Sequence, residues 1–209
     1  MYFHSASGDL IFGPNGGILE VTERLRSFAH SIGQTAYLFP VIPGAQSIAF
    51  FIRGSGFTNG NGVSQFLFDN REGYNAYWYS SGFANLNLLR VNGDTAIFAA
   101  SGLADLSGNV WRKVYLEAGL DSNFYLACRY SQTEFLVAHD MSEVTVYGRL
   151  WNGQETSDTT GYLPESGILA KYDFSQIFPD GQGNYFVPDT SGNGYHAKVV
   201  GALPTLFSA

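Results

Sequence analysis

A dense mixture of rings and planar polar groups runs through Asp69-Asn70-Arg71-Glu72-Gly73-Tyr74-Asn75-Ala76-Tyr77-Trp78-Tyr79. Sugars present C–H faces that stack on aromatic rings and so bury apolar surface. They also present hydroxyls, which pair with Asp, Asn and Arg side chains. This segment carries both kinds of group. Its first five residues read as a turn, and Asp69, Arg71, Tyr74, Asn75 and Trp78 are the candidate ligand-binding residues of a shallow glycan surface. The competing reading is an ordinary strand. Tyr77 and Tyr79 then share one face, with Ala76, Trp78 and Ser80 on the other, and one of those faces must be core. Asn85, Asn87, Arg90 and Asn92 form a weaker polar cluster close by.

A second constellation is Asp189-Thr190-Ser191-Gly192-Asn193-Gly194. Oxygen-bearing side chains at Asp189, Ser191 and Asn193 alternate before a glycine, as at the start of a calcium loop. The acidic residue that should close such a loop is replaced by Val200. The alternative is an Asx-type turn, in which Asp189 caps backbone amides and Gly194 supplies a positive φ; this reading is favoured over Ca2+ binding. No other cofactor is expected. Cys128 stands alone within an apolar run, which suits a small buried hydrophobe better than a reactive thiol.

Motifs for catalysis are missing from the sequence. There is no Gly-x-Ser-x-Gly elbow and no His-Glu-x-x-His pair, and His4, His30, His139 and His196 are far apart. Gly54-Ser55-Gly56 lacks the third glycine of a dinucleotide fingerprint. Carboxylates from distant strands could still meet in space, so an enzyme stays as a third reading.

The elements that must position these residues are mostly strands. Charged residues are 14% of the 209, against roughly 25% in an average domain. Aromatics reach 16% and there are 25 glycines, a balance that suits short strands and tight turns rather than long helices. Candidate strands are 36–39, 47–53, 64–69, 74–80, 87–91, 95–100, 111–118, 123–130, 133–138 and 142–150, followed by 168–174, 185–187 and 197–200. A short one is Leu10-Ile11-Phe12. Val21, Leu25, Phe28, Ala29 and Ile32 recur at helical spacing, with Gly33 as a stop; a strand over 18–25 competes with that helix. Residues 152–166 read as a long polar loop.

The net charge of −7, with scattered Lys and Arg, argues against a nucleic-acid partner. The longest apolar runs fall far short of the ~20 residues that span a bilayer. Met1-Tyr2-Phe3-His4 lacks the basic-then-apolar pattern of a signal peptide.

Several segments resemble the concanavalin A-like lectin/glucanase superfamily, in its laminin-G-like and pentraxin-like branch. Ser47–Arg53 resembles an early strand of that family, Trp111–Leu116 a middle one, and Asp140–Leu150 its closing strand. Tyr172-Asp173-Phe174, followed by Asp189-Thr190-Ser191-Gly192-Asn193-Gly194-Tyr195-His196-Ala197, resembles the opening motif and is the most specific match. The glucanase branch's Glu-x-Asp-x-x-Glu strand is broken here at Glu143-Val144-Thr145. The resemblance implies an all-β, two-sheet antiparallel jelly-roll sandwich with at most one or two short helices. Trp111, Val114, Leu116, Val144, Val146 and Phe174 should then be core.

The opening motif comes last in this chain. Three arrangements accommodate that order: a circularly permuted jelly roll, a second domain beginning near residue 165, or a segment that completes a neighbouring subunit. Permutation is favoured, because joining neighbouring ends by a loop costs only slowly growing closure entropy. Residues 1–44 then form a partly irregular N-terminal segment, and 45–209 the jelly roll, closed by 165–209. The resemblance also implies a glycan- or receptor-binding module on a virion surface or outside the cell, as in phage tail fibres and adhesins. A homo-oligomer is expected there, with a trimer as the leading form. The competing class is a structural or oligomerisation domain of a fibre with no ligand of its own.

Overall fold

A computed structural model describes residues 26–57, 64–91, 103, 106, 108–159 and 161–209. Within them the chain is nearly all strand. In order these are β1 (Phe28–Ser31), β2 (Thr35–Phe39), β3 (Ser47–Gly54), β4 (Phe66–Asn70), β5 (Ala76–Tyr79), β6 (Gly82–Ala84), β7 (Leu88–Val91), β8 (Arg112–Glu117), β9 (Phe124–Leu126) and β10 (His139–Tyr147). The short helix α1 (Gly153–Ser157) follows, and then β11 (Ile168–Tyr172), β12 (Phe178–Pro179), β13 (Tyr185–Val187), β14 (Ala197–Gly201) and β15 (Thr205–Phe207).

Two antiparallel sheets form a sandwich. One has seven strands, ordered β15-β1-β10-β3-β8-β7, with β11 also on β10; the other has eight, ordered β12-β13-β14-β2-β9-β4-β5-β6. Alternate side chains meet between them. Phe39 stacks on Phe124 at 4.7 Å between centroids and meets Tyr172 edge-on at 5.0 Å, while Tyr37 meets Phe174 at 4.8 Å. The expected core residues Trp111, Val114, Leu116, Val144, Val146 and Phe174 are all buried.

Strand β10 organises the seven-stranded sheet. One of its edges runs along β3, and the other is shared in succession. Residues 139–141 pair with β1, and residues 144–147 pair with β11. The handover falls at a register shift between Ser142 and Thr145, where Glu143 takes a φ of +50°. Such a bulge bends a strand and redirects its pairing. Residues 168–172 therefore pair with β10 within one chain. The C-terminus closes on β1: Phe207 pairs with Phe28, and the Ala209 amide donates to Ser27 Oγ at 3.2 Å.

The helical spacing around Phe28 does not produce a helix. Phe28 and Ala29 lie in β1, where Ala29 faces the core and Phe28 meets Trp111 and Phe207 at 5.7 and 4.8 Å. β-Sheet partners on both sides override a short local period. Val21 and Leu25, like the candidate strands at 10–12 and 95–100, lie outside the described residues. Residues 26–44 supply β1 to one sheet and β2 to the other. The candidate strand at 133–138 is reduced to one bridge between Cys128 and Phe135.

In the stretch expected to be a loop, the described residues 152–159 and 161–166 form a strap over the outer face of the seven-stranded sheet. Trp151 stacks on Tyr115 at 4.3 Å and meets Tyr147 at 5.6 Å, with Ala49 completing a buried cluster. Asn152 caps α1 through Gln154 and Glu155 amides at 3.0 and 2.9 Å, and Glu155 returns a bond to the Asn152 amide at 2.9 Å. That is a capping box. Glu155 also takes both ends of the Arg149 guanidinium at 2.7 Å, and Asp158 pairs with the nearly buried Lys113 at 3.0 Å. Tyr147 donates to the Pro164 carbonyl at 3.0 Å.

Candidate functional site

The outer face of the eight-stranded sheet carries a different set of side chains. Asp69 on β4 lies opposite Tyr77 on β5 and Tyr125 on β9, so these three residues share that face. The β4–β5 pairing shifts register between Phe66 and Phe68. This turns Phe66 outward while Phe68 stays in the core. Phe66 stacks on Tyr79 at 5.5 Å, and Tyr77 meets Tyr79 at 5.7 Å.

Arg71 lies over this array. Its guanidinium carbon is 4.7 Å from the Phe66 ring centre, 4.8 Å from Tyr77 and 4.9 Å from Tyr130. Distances of this kind favour a cation over the ring face. The fully buried Asp69 fixes the fork by accepting from Arg71 Nε and Nη2, from the Arg71 amide at 3.0 Å and from the Tyr130 amide at 3.2 Å. The Nη1 edge of Arg71 makes no hydrogen bond among the described residues. Arg129 lies 5.7 Å from Tyr130 and pairs with Glu134 at 2.5 Å. Tyr77, Tyr79 and Arg71 are half-buried and Tyr130 is exposed. The result is a ring-lined surface with an oriented guanidinium, held by a carboxylate that water does not reach.

The five sequence candidates separate into three groups. Asp69 and Arg71 belong to this face. Tyr74 and Asn75 occupy the β4–β5 turn instead: Asn75 takes a φ of +53°, a turn conformation that Asn tolerates, and its carbonyl accepts from Asn85 at 2.9 Å. Exposed Tyr74 donates its hydroxyl to Asp121, which pushes the phenol pKa upward. Trp78 points the other way, into the core opposite Phe68, with 2% of its surface exposed. It offers no ring to a ligand, because Ala76 and Trp78 form the inward half of the β5 alternation. Phe66, Tyr77, Tyr79, Arg129 and Tyr130 were missed as members of the face. The alternation identified Tyr77 and Tyr79 as a pair on one side, but only the register with Asp69 tells which side is outward.

The Asp189 loop is locked by its own backbone. Asp189 Oδ1 accepts from the Lys171 and Ser191 amides at 3.0 and 2.9 Å, and Oδ2 from the Tyr195 amide at 3.0 Å. Ser191 Oγ and Asn193 Nδ2 both donate to the Leu169 carbonyl, at 3.1 and 2.9 Å. Burial raises the carboxyl pKa, but the amide and hydroxyl donors outweigh it and leave it below the ordinary value. The Asp189 carboxylate and the Ser191 hydroxyl are thus engaged in closing the turn, as the Asx-type reading requires. Cys128 is buried, and burial, helped by the Asp69 charge, pushes its thiol up to about 12.

No family model matches the chain, and no curated protein matches it in sequence.

Proposed function

We propose that this chain is a carbohydrate-binding module and that its ligand docks on the outer face of β4, β5 and the Tyr130 turn. The observation that carries this reading is the half-buried Tyr77 and Tyr79 and the exposed Tyr130, with buried Phe66 beneath them, around a guanidinium oriented by buried Asp69. The rings suit the C–H face of a sugar, and the Nη1 edge of Arg71 suits a hydroxyl or carboxylate oxygen. The face is already assembled, so little ordering entropy opposes binding.

The wider setting belongs to the same proposal. The chain is read as a concanavalin A-like jelly roll whose order is permuted. Supporting this, β11, which leads into the opening-type motif, pairs with the closing-type strand β10 in one chain. It is placed on a virion surface or outside the cell, as the recognition part of a tail fibre or adhesin, in a homotrimer. Strand β15 ends the described order of its sheet and exposes Phe207 at 45%, which favours self-association at that edge. A structural fibre domain without a ligand is the competing reading.

A glycan array probed with the parent chain, Tyr79→Ala and Tyr130→Ala tests the proposal. Binding by the parent that falls about tenfold in the variants, with unchanged melting, is expected. Absence of any glycan binding by a folded trimer would favour the fibre reading.

A further inference from the structure

The Asp189 loop also builds the wall of a groove elsewhere on the molecule. Pro40, Phe178, Phe186, Gly194, Tyr195 and His196 line a cavity of about 280 Å3. It lies at the β12–β13 end of the eight-stranded sheet, and three strands separate β13 from β4. We propose that this groove is a second binding site, shaped for the face of one neutral pyranose ring. It does not depend on the Arg71 face.

Four observations carry the proposal. Among the described residues the lining is ring-rich and includes no Asp, Glu, Lys or Arg. Phe178 stacks with Phe186 at 5.7 Å and meets His196 edge-on at 5.0 Å, which gives flat surfaces at an angle. The one oriented polar group is His196. Its Nδ1 accepts the Asp189 amide at 3.0 Å, so the N–H of the neutral ring is on Nε2. Finally, the wall is fixed before any ligand arrives: Asp189 holds the Tyr195 amide, and the Tyr172 hydroxyl holds the Tyr195 carbonyl.

Size and charge then select the occupant. The groove is open, and its volume, near the small end of the ~300–1,000 Å3 typical of small-molecule sites, accommodates one ring. A wall of rings whose lining includes the His196 imidazole and the Tyr195 phenol matches an apolar C–H face bearing a hydroxyl or ring oxygen. It offers a carboxylate no counter-charge. The Asp-Thr-Ser-Gly-Asn-Gly turn, which resembles a cation loop in sequence, thus acts here as the brace that sets Tyr195 and His196.

The test is a 1H–15N NMR titration of the full chain with methyl β-glucoside, methyl β-galactoside, methyl N-acetyl-β-glucosaminide and sodium glucuronate. Gly194, Tyr195 and His196 amides should move with at least one neutral glycoside and stay still with glucuronate. Phe178→Ala should weaken that response about tenfold, while Tyr79→Ala leaves it unchanged. If Phe178→Ala does not fold, Phe178→Leu, which fills space without a flat ring, should weaken it several-fold. The proposal is overturned if no neutral glycoside moves these amides, if glucuronate moves them equally, or if neither folded Phe178 variant changes the affinity. A response to a proline-rich peptide alone would also overturn it. Loss of glycan binding through Tyr79→Ala and Tyr130→Ala reports on the Arg71 face separately.

Discussion

The two outer faces of the sandwich use similar side chains for opposite ends. On the seven-stranded sheet, Tyr115, Tyr147 and Trp151 stack together beneath the 152–166 strap and are buried. On the eight-stranded sheet, Tyr77 and Tyr79 stay half-buried and Tyr130 exposed around Arg71. An aromatic cluster is therefore not a site by composition. What decides is whether the chain supplies its own cover, and whether a polar group is oriented above the rings. Rings under a strap contribute burial energy to the fold, while rings left accessible contribute less of it.

Truncating the covered cluster gives the largest expected effect. Trp151→Ala should cost ~3–5 kcal/mol of stability by urea denaturation. Trp151→Phe should cost far less, because it keeps a ring on Tyr115 and removes an indole N–H that has no partner among the described residues. If Trp151→Ala melts like the parent, the strap is not a structural cover and the contrast between the faces collapses.

Acid should act next. His139, at the start of β10, is buried, with Nδ1 on the Val137 carbonyl at 2.8 Å. Burial lowers its pKa to about 4, outweighing the Val137 bond and the Asp140 charge, with His30 lowering it further. The folded chain thus holds His139 neutral while the unfolded chain protonates it near 6.5. Its contribution is complete above about pH 6.5 and is lost as pH falls toward about 4. That loss is on the order of 3 kcal/mol and should vanish from a stability–pH curve of His139→Gln. Asp189 adds a later loss. Its folded pKa is depressed, so its contribution is present above the ordinary carboxyl pKa and disappears as pH falls through the lowered value. Asp189→Asn should remove that second phase and destabilise by about 1–3 kcal/mol, since three backbone amides lose a charged acceptor.

Much of this architecture is legible in the residues themselves. The strands at 36–39, 47–53, 185–187 and 197–200 follow from apolar runs of aromatic, aliphatic and β-branched residues bounded by glycine or proline. The strap was not legible, because its cover rests on two isolated residues, Trp151 and Leu163, inside a polar stretch. Strand β1 was hidden by a helical period that only its partners β10 and β15 overrule. The candidate face was legible as a segment but not as a surface. Trp78 and Tyr77 are neighbours in sequence and point to opposite sides, and the bulge that turns Phe66 outward leaves no mark in the sequence. Tyr130 reaches the face through a turn 61 residues along the chain, held by Asp69, and no local pattern announces that.

The smallest expected change in stability is on the open face, where Tyr79→Ala should cost no more than ~1 kcal/mol. That makes one paired experiment decisive for the central claim that the outward face of β4 and β5 receives the ligand. Melting and glycan-array binding are measured for Tyr79→Ala and Trp78→Ala side by side. The expected result is that Tyr79→Ala melts close to the parent and binds about tenfold more weakly, whereas Trp78→Ala loses ~3–5 kcal/mol of stability. If Tyr79→Ala keeps full binding to a glycan that the parent recognises, the ligand does not sit on this face and the account is contradicted.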